Sequence, residues 1–264
     1  MVWTAEKAAN FLAGHWDNPN SPIAYAGIGK IYTFFERALS KEKIEKILSG
    51  FESYSVMREE HGSKNRKYQG FSQPTHLWNC CESDSFSVEE LAEANDGVKH
   101  ILCVINTFSK RAYVYPMLDR SGRSGLEAIK NIFSFAGTWP DAIVSDAGGE
   151  TSCGEIVRYL KTQNVESIIA RGINKVISLN KVRPLPGCYG DNLRPFNVKS
   201  AYISIQPFSP CNSQASSVER FQRTLQRKLY TYMNQRQTNR FIDVLGDIVH
   251  GYNSIRHSTT KRYI

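Results

Sequence analysis

Two kinds of hydrophobic periodicity divide the chain. Up to about residue 67, apolar residues recur at helical spacing over 5–12 and 28–39, and Ile44, Ile47 and Leu48 share one face of 41–48. Repeats of three and four positions put side chains on one stripe of a helix. Ser40 stands before the third stretch as an N-cap, and Gly50 follows it as a stop. Asp17-Asn18-Pro19-Asn20-Ser21-Pro22 reads as a loop and 58–70 as a polar linker. The pattern predicts a small helical N-terminal region over 1–70.

From about Phe71 the pattern changes. Residues 99–106 and 111–117 are apolar and β-rich, and the short turn at Phe108-Ser109-Lys110 between them predicts a hairpin. Residues 121–136 form an amphipathic helix with Leu126, Ile129, Ile132 and Phe133 inward. A short strand over 142–145 follows the Pro140-Asp141 turn, then a helix over 154–161 and a strand over 165–170. Two helices close the chain. Ser216 or Ser217 can cap 218–233, which turns Val218, Phe221, Leu225, Leu229 and Tyr232 inward. In 241–252, Ile242, Leu245, Ile248 and Val249 face inward. Residues 171–207 follow neither period and read as an irregular insertion. Strands followed by strand–helix alternation predict an α/β domain over 71–264, a mixed central sheet flanked by helices.

Charge refines this division. The 264 residues carry a net +8, unevenly spread. Residues 1–70 hold 10 Lys and Arg against 8 Asp and Glu, residues 71–170 hold 8 against 13, and residues 171–264 hold 15 against 4. An acidic middle beside a basic C-terminal part suits a protein that grips phosphates near a group of carboxylates. The six cysteines (80, 81, 103, 153, 188 and 211) include no C-x-x-C, and the six histidines no H-x₃₋₅-H. Neither a disulfide framework nor a structural zinc site is expected. No long apolar run or secretory leader is legible, so the expected setting is intracellular, without a membrane.

Two carboxylates stand out. Asp146 ends the apolar strand in Ile143-Val144-Ser145-Asp146 and is followed by Ala147-Gly148-Gly149, backbone that lets a ligand approach closely. Glu219 lies in the first turn of a helix, on one stripe with Arg223, Gln226 and Arg227. A turn aspartate and an i,i+4 pair of Glu219 with Arg223 are the plainer readings of these segments, and locally they stay open.

Three blocks in order, Ser145-Asp146-Ala147-Gly148-Gly149-Glu150, Ser217-Val218-Glu219-Arg220-Phe221-Gln222 and Tyr252-Asn253-Ser254-Ile255-Arg256-His257, resemble retroviral and retrotransposon integrases. Upstream, 95–110 resembles that family's second and third strands. The segment from Trp16 to Pro22, with Phe51-Glu52-Ser53-Tyr54, resembles the leader of transposon-derived integrases such as those of nematode genomes and Maverick-type elements. The resemblance implies a ribonuclease H-like fold and a D-D-E triad that binds Mg²⁺ or Mn²⁺. It also implies DNA integration, with element ends joined to a target duplex by polynucleotidyl transfer in a nuclear homo-oligomer.

Asp146 and Glu219 map directly onto that triad. For the first position, counting back from Gly97 reaches Asp84, whereas counting forward from Leu77-Trp78 reaches Cys81; Asp84 is the expected ligand. Arg220, Arg223, Arg227, Lys228 and Lys110 are expected to hold DNA phosphates. Asn253 and His257 are expected to be structural or close to DNA.

The chain also departs from the family. Between Asp146 and Glu219 stand 72 residues, more than in relatives, and Asn106 replaces a frequent Asp. Neither an HHCC zinc module nor a C-terminal DNA-binding domain is legible. The alternative expectation is therefore a catalytically inactive DNA-binding remnant.

Overall fold

The computed structural model describes residues 3–51, 76–146, 148–171, 175–178 and 216–257, together with Tyr54, Pro74 and Thr260. The expected 58–70 linker and most of the 171–207 stretch lie outside these residues.

The N-terminal region has a core of its own. α1 (Ala5–His15) starts where the Thr4 hydroxyl accepts the Lys7 amide at 3.3 Å. α3 (Lys41–Leu48) starts on Ser40 in the same way. Between them α2 (Ile28–Phe34) stops earlier than its periodicity predicts, because Glu36 and Arg37 turn into the left-handed region at φ 51° and 65°. Leu12, Trp16, Ile31, Phe35, Ile44 and Leu48 interlock as one buried cluster. The Trp16 indole donates to the Ala26 carbonyl at 3.0 Å, which satisfies its polar edge.

The rest is a six-stranded mixed sheet in the order β3-β2-β1-β4-β5-β6. β1 (Cys80–Ser87), β2 (His100–Asn106) and β3 (Ala112–Met117) form an antiparallel meander. β4 (Ala142–Ser145) and β5 (Glu166–Arg171) pair parallel to β1, and β6 (Lys175–Ser178) returns antiparallel. The expected 171–207 insertion therefore begins as regular structure: Arg171 ends β5 and four residues build β6. A strand that short, next to Gly172 and Asn174, gives too few alternations to be read from sequence.

Helices cover both faces. α4 (Gly122–Ala136) and α6 (Gly154–Thr162) bury Leu126, Ile129, Ile132, Phe133, Ile156 and Leu160 against one side, with α5 (Gly149–Ser152) between them. On the other side α7 (Ser216–Arg236) and α8 (Leu245–Asn253) bury Phe221, Leu225, Leu229, Leu245 and Ile248 against the β1–β3 meander. α4 and α5 approach so closely that a Cβ on Gly125 would sit 1.8 Å from the Glu150 carbonyl oxygen.

Asparagines fix the joints. Asn106 Oδ1 accepts the amides of Phe108 and Ser109 and so shapes the hairpin turn. Asn253 exchanges two hydrogen bonds with the Ala112 backbone, at 2.9 and 2.8 Å, tying α8 to the edge strand β3. The N-terminal region seats on α7 and α8: Gly251 passes so near the 19–21 loop that a Cβ there would meet Ser21 O at 2.7 Å.

Candidate active site

β1 lies inside the sheet and sends alternate side chains to opposite faces. Cys81 goes to the α4 face and is fully buried among Leu102, Ile129 and Phe133. Burial, then the charge of Glu82, pushes its thiol far up, so it stays neutral. Glu82 and Asp84 go to the opposite face, under α7. Parallel pairing of Ser83 with Ser145 makes Asp84 and Asp146 the next residues along the two strands. The structure thus brings Asp84, and not Cys81, beside Asp146.

The Asp84 carboxyl is pushed up to about 6 by burial first and by the charge of Asp146 second; the Ser85 amide and Gln222 offset this in part. Ser85 N donates to Asp84 Oδ1 at 2.8 Å. Gln222 comes close without completing a well-formed bond, since its buried Nε2 finds no acceptor. Asp146 is exposed and accepts the Gly148 amide at 3.0 Å, a local turn that aims its carboxylate outward. Two neighbouring carboxylates, one of them held up by burial and then by the charge of the other, are a donor set suited to a hard divalent cation. Among the described residues, no three His, Cys, Asp or Glu groups stand together as a ready cation site.

Glu219 occupies the first turn of α7, half-buried, one helical turn before Gln222. The start of that helix is fixed from across the molecule. Buried Glu82 accepts the amides of Ser217 and Val218 at 2.9 and 3.0 Å on one carboxylate oxygen. The helix begins at Ser216, earlier than its periodicity predicts, and a strand residue takes the amides of its first turn. Desolvation raises the Glu82 carboxyl, and those two amides and Lys110 oppose the rise. Ser217 Oγ instead meets Lys110 Nζ at 3.1 Å.

A further carboxylate borders the site and was not expected there. Glu150, 1% exposed, accepts Ser85 Oγ at 2.7 Å and Arg120 through Nε at 2.8 Å and Nη2 at 2.7 Å. Burial alone would raise its carboxyl, but Ser85, its own backbone amide and Arg120 outweigh that and hold it down. The clamp ties the residue after Asp84 to the loop after Asp146. A Cβ on Gly148 would fall 2.7 Å from the Glu150 carboxylate, so a side chain there would push that carboxylate out of its clamp. Three groups 30 and 65 positions apart in sequence leave no local signal of this network.

The basic residues divide. Arg220 and Arg223 are exposed on α7 and Arg227 is half-buried. Lys228 departs from expectation: it is 2% exposed, and its ammonium donates to the Ala24 carbonyl of the N-terminal region. The spacing 221, 225, 228 and 232 is itself a helical stripe, and it is the buried one. Lys228 therefore cannot meet DNA on the open face. Lys110 is half-buried at the start of α7.

No family model matches the chain. A Caenorhabditis elegans protein named as an uncharacterized transposon-derived protein is 26% identical over 161 residues, 61% of this chain and 42% of the relative. The match spans less than half of that relative, and it supports a transposon-related origin. Among solved structures, a chain from the simian T-cell lymphotropic virus intasome in complex with the PP2A regulatory subunit B56 gamma is similar. The match is 11% identical with a TM-score of 0.46, covering 93% of this chain and 68% of that one. That likeness is too loose to decide fold family or function.

Proposed function

We propose that this chain is the catalytic part of an integrase-type polynucleotidyl transferase on a ribonuclease H-like sheet, with Asp84, Asp146 and Glu219 as its working carboxylates. The observation that carries the reading is the parallel register of Ser83 with Ser145, which makes Asp84, inside β1, and Asp146, just past the end of β4, the next residues on two neighbouring strands, beneath the helix that bears Glu219. A transposon-related origin agrees with it.

In this reading Asp84, Asp146 and Glu219 would hold Mg²⁺ or Mn²⁺, which would supply Lewis-acid stabilisation for in-line displacement at a phosphodiester. The chain's own residues arrange the rest. Glu82 fixes where α7 begins, and hence where Glu219 stands. Glu150 and Arg120 set the spacing between the Asp84 and Asp146 segments. Arg220 and Arg223, exposed beyond Glu219, meet backbone phosphates and hold a duplex without reading its sequence. A water oxygen attacks when a DNA end is trimmed, and a 3′-hydroxyl when that end is joined. In each case one P–O bond forms as one breaks, so no covalent enzyme intermediate is required. Joining two ends calls for more than one copy of the chain, and the work is nuclear.

Mg²⁺-dependent strand transfer on labelled DNA ends tests the reading, with the full chain and Glu219→Gln side by side. Transfer by the wild type and its loss in the variant are expected. Equal product from both would remove the catalytic assignment and leave a DNA-binding remnant.

A further inference from the structure

One cation is tied to the carboxylate edge of the sheet. Arg120 lies between β3 and α4, one position before the Ser121 cap. Its segment is pinned by Asp119, whose Oδ1 accepts the Ser121 amide at 2.8 Å and the Ser124 hydroxyl at 2.6 Å. Arg120 reaches past that turn to Glu150. Its Nε and Nη2 both meet Oε1, at 2.8 and 2.7 Å, and the Ser85 hydroxyl meets the same oxygen at 2.7 Å. The Ser85 amide holds Asp84 Oδ1, and the Glu150 carboxylate stands over Gly148, whose amide holds Asp146 Oδ1. Through these contacts Arg120 and Glu150 sit against both aspartate segments.

The pair does more than hold two segments at a fixed spacing. A bidentate arginine–carboxylate tie places two N–H groups on two oxygens. Here both meet one oxygen, and the arginine side chain is 51% exposed against 1% for the glutamate. Burial works against the Glu150 charge, yet Ser85, its own amide and Arg120 hold its carboxyl down. The bond to Glu150 raises the Arg120 guanidinium, burial opposes this, and the charges of Glu150, Asp146 and Asp84 add to the rise. A further negative charge and a positive one therefore flank the two aspartates. Affinity for a hard cation follows the charge gathered around it. Each of these two residues changes that charge by one, in opposite senses.

We propose that Arg120 sets the divalent-cation affinity of the Asp84–Asp146 pair by cancelling the charge that buried Glu150 brings to it. Arg120 is thus a built-in restraint on cation loading in the DNA-free chain. The proposal rests on the reading that the two aspartates take a cation, and on nothing about the reaction that follows.

The test is a titration of the full, DNA-free chain with Mn²⁺ alone, followed by electron paramagnetic resonance, with melting temperatures to show that each variant folds. Wild type is expected to bind Mn²⁺ at a site that Asp84→Asn removes. Arg120→Gln should bind about tenfold more tightly and Glu150→Gln about tenfold more weakly, the order set by one charge several ångström from a divalent ion near a protein surface. Both steps should shrink as salt is raised. Arg120→Lys, and Arg120→Gln combined with Glu150→Gln, should stay close to wild type, since each keeps the charge sum. Should Arg120→Gln not fold, Glu150→Gln reads the same charge from the other side. Equal affinity in every variant that folds, or loosening by all of them alike, would overturn the proposal and leave a structural clamp. Absence of any Mn²⁺ site sensitive to Asp84→Asn would remove the cation reading itself, and this proposal with it.

Discussion

The carboxylate edge of the sheet and the cationic junction under α7 meet the same difficulty in opposite ways. Each gathers like charges in partly buried surroundings. At the sheet edge the deepest carboxylate, Glu150, is fully matched by Ser85 and Arg120, while Asp84 and Asp146 remain in mutual repulsion. At the junction the deepest cation, Lys228, has a carbonyl and, among the described residues, no carboxylate; Lys30 lies over the Tyr252 ring and the Arg227 Nε has no hydrogen-bond partner. In both places the innermost charge is settled by the fold and the outer pair is not. The difference lies in what settles it: an ion pair between two sheet-edge segments in one case, a neutral backbone group from a separate small core in the other. The sheet edge should therefore resist rearrangement more than the junction does.

The largest expected effect breaks the comparison at its acidic end. Asp84→Asn and Glu219→Gln should each reduce strand transfer by several kcal/mol of barrier, roughly a thousandfold. DNA affinity in EDTA should stay close to wild type, and gel-resolved product and anisotropy titration check the two halves of that statement. Next comes the packing that supports each region. Gly125→Ala drives a Cβ into the Glu150 backbone and should cost about 3 kcal/mol in a denaturant melt. Gly251→Ala, whose Cβ would stand 2.7 Å from Ser21 O, should cost about 1–2 kcal/mol, since the 19–21 loop can yield. The reverse order would mean that the junction is the more rigid of the two.

Smaller effects separate charge from shape. Glu150→Gln keeps the size of the side chain but weakens its bonds to half-exposed Arg120 and should cost about 1–2 kcal/mol. The smallest effect is a pH signature. Lys30 has a folded value of about 8 against an ordinary 10.5, so the unfolded chain binds more protons between those values. Its destabilising contribution is complete below the lower value and fades as pH rises through the window. Wild type should gain stability relative to Lys30→Met between pH 8 and pH 10.5. Paired thermal melts would show it, and parallel curves would sink it.

How much of this was legible in the sequence depended on how local the cause was. α3, α4, β4 and the β2–β3 hairpin follow their patterns because capping serines and apolar stripes lie within a few residues of what they organise. β1 gave no such sign. It reads Cys80-Cys81-Glu82-Ser83-Asp84-Ser85-Phe86-Ser87, and polar residues in an inner strand defeat a hydrophobic count. Their partners lie far along the chain: Glu82 reaches 135 positions to Ser217, and Ser85 reaches 65 to Glu150. The inward place of Lys228 is legible in the sequence, since it falls on the 221–225–232 stripe. Asp146 and Glu219 stood out by motif, while the Glu150 clamp between them could come only from three dimensions.

The bond from Glu82 to the first amides of α7 also bears on how the chain could be assembled. A helix whose start is recognised by a distant strand carries its own docking address and does not depend on continuity with the residues just before it. Two separately expressed pieces, one ending after β6 and one beginning near Ser216, should therefore find each other. They should rebuild the α7–β1 register in trans, as split reporter proteins do. Reassembly would be read as co-purification of the pieces and its loss in Glu82→Ala. The same independence would let the intervening sequence lengthen or shorten over generations while Glu219 kept its place beside Asp84.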